Sequence, residues 1–233
     1  IISETRKYLR EIYGVFQHTP LSSFQQRIAS IRSIDDPLCD FLLDNHQSTR
    51  ERHAQYVELY TRIERFCSSC GVTLPFSVLD LACGWNPFAI KYFSTLPSQY
   101  IASDISEEDM GTIRLFFRNT GLNGRCISLD LTSKDAIDEL NRLSSVDVVF
   151  LFKTLDSLER SSRNISKRLL SFLASKASVF VISFPSVSIG GKQDIDKKRR
   201  AWFESWCSRN KWYVQRFSLE NELVYMCAPS RKQ

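Results

Sequence analysis

A chain of 233 residues with 43% hydrophobic residues, 16 Phe and 4 Trp can fill the core of one ordinary domain and a smaller appendage, which excludes a disordered chain. No apolar run approaches the roughly 20 residues of a membrane span, and no signal-peptide pattern opens the chain. The net charge of +5, from 31 Lys and Arg against 26 Asp and Glu, permits a nucleic-acid partner without requiring one. The 7 Cys are odd in number and several sit in apolar runs, so a reducing cytoplasm is expected. Cys67-Ser-Ser-Cys70 has half the spacing of a zinc site, but no second pair follows, so no metal is expected.

Residues 1–74 read as a helical domain. Leu9, Ile12, Tyr13 and Phe16 form an apolar stripe, with Arg6, Lys7 and Arg10 together on another face. Leu38, Phe41 and Leu42, then Tyr56, Leu59, Tyr60 and Ile63, continue the helical rhythm. The opening Ile1-Ile2-Ser3-Glu4 has no initiator Met, so this domain is expected to be incomplete at its amino end. Gly71 and Pro75 punctuate the boundary.

From residue 75 to 233 the pattern is strands alternating with helices. Strands are predicted over Phe76–Leu81, Gln99–Ser103, Arg125–Leu129, Val146–Phe152, Val179–Phe184, Trp212–Phe217 and Leu223–Ala228. Helices are predicted over Glu107–Thr120, Asn164–Ser175 and Asp196–Asn210. Apolar strands separated by helix-length segments imply an α/β fold, a parallel sheet covered on both faces. The short turn near Leu219–Asn221 makes the last two strands an antiparallel hairpin. Seven strands ending so is the layout of the class I methyltransferase fold, Rossmann-like with an antiparallel last strand.

The chemistry is expected at Asp80-Leu-Ala82-Cys83-Gly84-Trp85-Asn86-Pro87, which ends a buried strand, turns on one glycine and opens a helix at Pro87. Such a unit places a nucleoside cofactor at the carboxyl end of a parallel sheet. A dinucleotide would ask for the G-x-G-x-x-G pattern, and only Gly84 is present. S-adenosylmethionine has no pyrophosphate, and one close backbone approach suffices. Asp104, about 20 residues on at the end of the second strand, is placed to accept the ribose hydroxyls; its alternative is an N-cap. Asp130, ending the third strand, could accept from the adenine amino group, or serve as a cap or loop residue. Asp80 lies inside an apolar strand and needs partners; the turn amides or the cofactor ammonium could supply them.

The fourth strand ends in Phe152-Lys153. The polar-Pro-Pro-aromatic sequence of amino-group methyltransferases is absent there, and so is a Pro-Cys nucleophile. Lys153 stands at the mouth of the cleft as a substrate-positioning cation, or else as a lysine snorkelling to solvent. Guanine N7 attacks with a lone pair that carries no proton, so that reaction needs no general base. The fifth strand runs through Phe184 into Ser186. With Trp85, these could hold an extruded base, though core packing is the commoner fate of an aromatic. Lys197-Lys198-Arg199-Arg200 is a run of cations pointing in different directions around a helix.

Several segments, in order, resemble the Arm/Rmt-type aminoglycoside-resistance 16S rRNA methyltransferases. They are Leu9-x-x-Ile12-x-Gly14, Ser48-Thr49-Arg50-Glu51-Arg52, the turn from Asp80 to Pro87, Phe152-Lys153 with Leu158-Glu159, Ser183-Phe184-Pro185 through Gly190-Gly191, Trp202-Phe203-Glu204, and Glu222-Leu223-Val224-Tyr225. The resemblance implies methylation of guanine N7 in the decoding region of 16S rRNA, within the small ribosomal subunit. It implies S-adenosylmethionine as cofactor, an amino-terminal RNA-docking domain presenting Arg6, Lys7 and Arg10, and Arg52 as a clamp on the cofactor carboxylate. Ala82, Gly84, Asn86 and Phe152 join Asp80, Asp104 and Asp130 around that cofactor. A cytoplasmic monomer without membrane or DNA partners is expected. The alternatives are another RNA site, a small-molecule substrate, or a non-catalytic RNA-binding homologue.

Overall fold

The structure, a computed structural model, describes residues 21–186 and 200–230. After a 3-10 turn at Leu21–Phe24, four helices lead in: α1 (Gln25–Ile28), α2 (Pro37–Asn45), α3 (Gln47–Arg52) and α4 (Tyr56–Ser69). There follow β1 (Ser77–Leu81), a 3-10 helix at Asn86–Tyr92, β2 (Gln99–Asp104), α5 (Glu107–Thr120), β3 (Gly124–Ser128), α6 (Ala136–Asn141) and β4 (Val146–Phe152). The remainder is α7 (Leu155–Ser161), α8 (Ile165–Leu173), β5 (Ala177–Pro185), α9 (Ala201–Arg209), β6 (Tyr213–Ser218) and β7 (Glu222–Ala228).

The strands form one seven-stranded sheet in the order β3-β2-β1-β4-β5-β7-β6. β7 runs antiparallel to β5 and β6, and the other pairs are parallel. The chain winds outward from β1 through β2 to β3, then returns to place β4 on the other side of β1. That reversal opens a crevice above the carboxyl ends of β1 and β4, where ligands of such sheets bind.

Alternation along the strands builds two cores. Val78, Val148 and Phe150 face a cluster with Ile28, Leu42, Tyr60 and Phe116. Their neighbours Leu79, Val149 and Leu151 face the opposite cluster with Leu170, Phe180, Phe203 and Trp206. Successive strand side chains point to opposite faces, so near-continuous apolar runs mean burial on both. The amino-terminal helices therefore share one apolar cluster with the sheet. Tyr60 stacks on Phe93 with ring centroids 3.9 Å apart, and Phe93 stacks in turn on Phe150.

Helix α5 covers the predicted Glu107–Thr120. Ser106 caps it by accepting from the Asp109 amide, three acids occupy its first turn, and Gly121 ends it at φ 70°, as capping and the helix dipole favour. The helix expected after the glycine turn winds instead as a 3-10 helix with Pro87 in its first turn. Asn86 through Ile90 are all buried, so both faces of this segment pack against the fold. Asp40 of α2 pins its end, accepting from Lys91 Nζ and the Tyr92 hydroxyl at 2.7 Å each. Among the described residues, no helix is long and apolar enough to cross a membrane.

Candidate active site

The turn after β1 carries backbone strain. Ala82 lies at φ 52° and Gly84 at φ 50°, and Lys153, just past β4, at φ 55°. Non-glycine residues in this region cost on the order of 1 kcal/mol each and cluster where function demands a shape. A Cβ on Gly84 would come within 3.0 Å of the His46 ring. Glycine therefore serves both the left-handed turn and the close approach of helix α3.

Asp104 holds this turn from the neighbouring strand. Its Oδ2 accepts from the Gly84 amide at 2.9 Å and its Oδ1 from the Ser106 amide at 3.3 Å. Since Ser106 caps α5, the capping alternative for Asp104 is set aside. Burial raises the Asp104 pKa, against the opposing pull of the Gly84 and Ser106 amides. Asp130 takes the loop role on one oxygen: Oδ1 accepts from the Thr132 amide at 2.8 Å and its hydroxyl at 2.6 Å.

Arg52, at the end of α3, is 1% exposed. Its Nη1 donates to Glu222 Oε1 at 3.2 Å and Oε2 at 3.4 Å, its Nε to the Tyr56 hydroxyl at 3.4 Å. The guanidinium carbon stands 4.5 Å from the Phe152 ring centre, a cation–π contact. Burial works against its charge, but Glu222, Tyr56 and Tyr60 raise its pKa above the ordinary value. Lys153 Nζ pairs with Glu222 Oε1 at 3.1 Å and also with Glu51. Lys153 is therefore neither snorkelling nor free; two carboxylates hold it at the cleft.

Arg52, Ala82, Gly84, Asp104, Asp130, Phe152 and Lys153 line a single cleft at the carboxyl ends of β1 and β4. Ile105, Leu129 and Leu131, each next in sequence to one of the two acids, add apolar lining. An acceptor fixed at a strand end, a guanidinium and apolar side chains are the groups that a ribose, a carboxylate and a purine would each require.

Other expectations are corrected. Asp80 and Asn86 lie beneath the turn, outside the lining. Asp80 Oδ2 accepts from Asn86 Nδ2 at 2.8 Å and from the Tyr100 hydroxyl at 2.5 Å, not from turn amides. Asn86 is spent on this network, its Oδ1 accepting from Tyr56 at 2.9 Å. Burial pushes the Asp80 carboxyl up to about 6, opposed by those hydrogen bonds. Trp85 is fully buried between Phe24 and His46, and Phe184 between Phe203 and Tyr225. Both are core residues and present no stacking face. Ser186 lies at the end of β5, its amide donating to the Asn221 carbonyl at 2.9 Å, and is not in the lining. Arg6, Lys7 and Arg10, and Lys197 to Arg199, lie outside the described residues. Cys67 and Cys70 carry free thiols.

Sequence reasoning missed His46 and Glu222 as parts of the site. His46 lines the cleft but belongs to no motif, being two residues before Ser48. Glu222 was visible only as the first residue of a shared segment.

The family model described as "Ribosomal RNA methyltransferase (FmrO)" matches residues 2–226. The chain belongs to this FmrO family. Among curated relatives, the 16S rRNA (guanine(1405)-N(7))-methyltransferase of Micromonospora echinospora is 29% identical over 235 residues, covering 97% of this chain and 81% of that protein. The crystal structure of the 16S rRNA methyltransferase RmtF, in complex with S-adenosyl-L-homocysteine, superposes with a TM-score of 0.73 at 25% identity, covering 98% of this chain and 83% of that one. The 16S rRNA methylase ArmA gives a TM-score of 0.65 at 26% identity, covering 91% of this chain and 99% of that one. The fold is thus the class I methyltransferase fold that the strand pattern implies.

Proposed function

We propose that this FmrO-family protein methylates N7 of a guanine in 16S rRNA, the guanine 1405 of its relatives' names, using S-adenosylmethionine. In a sensitive bacterium this would confer aminoglycoside resistance. The observation that carries the proposal is the convergence of Arg52, Gly84 and Asp104 on one cleft at the reversal point of the sheet. RmtF, of the same fold, holds the demethylated cofactor.

The cofactor, when bound, supplies a methyl group on a sulfonium. Arg52 would offer Nη2, the nitrogen that Glu222 and Tyr56 leave open, to its carboxylate, and the bend at Ala82 and Gly84 would admit its amino-acid arm against the backbone. Asp104, with each oxygen already anchored by one amide, keeps lone pairs for the ribose hydroxyls. Ile105, Leu129 and Leu131 would flank the purine, and Asp130 would accept from its amino group. Guanine N7 has no proton to lose, so these residues have only to align the reactants and balance charge. Lys153, held by Glu51 and Glu222, positions the incoming nucleotide. Residues 1–74 serve as an RNA-docking domain, and the protein works as a cytoplasmic monomer on the small ribosomal subunit.

Asp104→Ala is expected to weaken binding of S-adenosylhomocysteine more than tenfold in calorimetry, which requires only ~1.4 kcal/mol. Unchanged affinity would remove Asp104 from the cofactor site. Lys153→Ala is expected to leave that affinity intact and to lower the single-turnover methylation rate; a normal rate would return the lysine to a structural role. The proposal itself is tested by methyl transfer from labelled S-adenosylmethionine to isolated small subunits, beside naked rRNA and transfer RNA, with the modified base mapped. Label on transfer RNA alone would refute it.

A further inference from the structure

We infer that Glu222 is the positioning residue of the cofactor site: its buried carboxylate holds the guanidinium of Arg52 in the pose that receives a carboxylate from the cleft. This rests on the role of Arg52 proposed above.

Glu222 does not itself line the cleft. It opens β7, paired with Pro185 of β5, and its side chain is 1% exposed. From there its two oxygens reach Arg52 Nη1, while Oε1 also reaches Lys153 Nζ at 3.1 Å. Burial would favour its neutral form, yet Arg52, Lys153 and a hydrogen bond with Ser183 hold its pKa below the ordinary value, so it stays ionised. A guanidinium is planar with five N–H donors in a rigid fork. Three of its directions are taken here: Nη1 by Glu222, Nε by Tyr56, and one face by the Phe152 ring. Nη2 has no hydrogen-bonding acceptor among the described residues, and Arg52 lines the cleft. With Glu222 on Nη1, Tyr56 on Nε and Phe152 against one face, the plane is set and Nη2 is the nitrogen left for a ligand carboxylate.

The charge pattern supports this division of labour. Glu51, Lys153, Glu222 and Arg52 alternate in sign. Two cations beside one cleft would repel each other; Glu222 stands between them and touches both. A carboxylate that only offset the burial of Arg52 could approach from any side. This one contacts Nη1 from outside the cleft lining, on the last strand, so the carboxyl-terminal hairpin completes a site whose other parts come from α3, β1, β2 and β4.

The test is Glu222→Gln, which keeps shape and removes charge, measured by calorimetry against two ligands. S-adenosylhomocysteine carries the amino-acid arm that meets Arg52; 5′-methylthioadenosine has the same nucleoside without that arm. Glu222→Gln is expected to weaken S-adenosylhomocysteine about tenfold while leaving 5′-methylthioadenosine unchanged. In an Arg52→Ala background the same change is expected to add no further loss. The double variant removes both buried charges and so keeps the test available if Glu222→Gln alone fails to fold. Unchanged S-adenosylhomocysteine affinity, equal weakening of both ligands, or a full additional loss in the Arg52→Ala background would each overturn the inference. Failure of the unmodified protein to bind either ligand would instead overturn the cofactor assignment on which it rests.

Discussion

Arg52→Ala is expected to lower the free energy of unfolding by about 3–5 kcal/mol and to weaken S-adenosylhomocysteine binding more than tenfold. The stability loss follows from what remains. Glu222 is fully buried, and without Arg52 the three surviving members of the network, Glu51, Lys153 and Glu222, carry an uncompensated negative charge. Removing one partner of a buried pair costs far more than the pair contributes, because the other charge keeps its desolvation penalty. The cation–π contact with Phe152 is lost as well. Arg52→Met with Glu222→Leu replaces both charges by apolar volume and leaves Lys153 paired with Glu51. That double variant is expected to recover most of the stability and none of the affinity. Urea denaturation and calorimetry separate the two effects, and an Arg52→Ala protein with native affinity would place the cofactor carboxylate elsewhere.

His46 is expected to lose its contribution to stability as pH drops from about 6.5 toward 4.5. Burial, with Arg52 and Lys153 nearby, pushes its pKa from 6.5 down to about 3, so the imidazole stays neutral in the folded chain. In the unfolded chain it titrates near its ordinary value. Between those two values the unfolded state binds a proton that the folded state refuses, and stability therefore rises with pH. The contribution is fully present above about pH 6.5 and is lost on acidification; at pH 4.5 two pKa units correspond to roughly 2.7 kcal/mol. Asp80, whose carboxyl is raised to about 6 in the fold, titrates in the same window with the opposite sign but is present in both proteins. Measured against His46→Gln, which removes the imidazole, the unmodified protein's unfolding free energy should therefore decline between pH 6.5 and 5. Parallel slopes in that window would mean that His46 is protonated in the fold. The imidazole packs 5.4 Å from the Trp85 ring and under Gly84, so it acts as a wall of the glycine turn.

Much of this molecule was legible before any coordinates. Strand and helix periodicity placed each strand within about two residues and matched α5 end to end, because two-sided burial and end capping leave a local trace in composition. The single-glycine turn and the strand-end acid Asp104 were readable for the same reason: a strand, a tight turn and an acid one strand later form a local pattern. Aromatic residues beside the turn were misread. Trp85 and Phe184 sit in the right segments, but whether a ring faces a cleft or a core depends on what packs over it. Here Phe24 and His46 cover one, and Phe203 and Tyr225 the other. Asp80 was placed on the cofactor because a buried carboxylate needs partners, and Asn86 because the resemblance implied it; Tyr100 and Asn86 instead occupy Asp80 Oδ2, and Tyr56 occupies Asn86 Oδ1.

From residue order alone came the α/β architecture, the bend that admits a nucleoside and the absence of a dinucleotide fingerprint; each depends on contacts among near neighbours, which spacing encodes. Folding in three dimensions chose the partner of Arg52. Glu222 lies 170 positions away, brought in because β7 inserts beside β5 at the far side of the sheet. Which cations stand free and which are held by a buried carboxylate is settled by strand order, and no local pattern carries it.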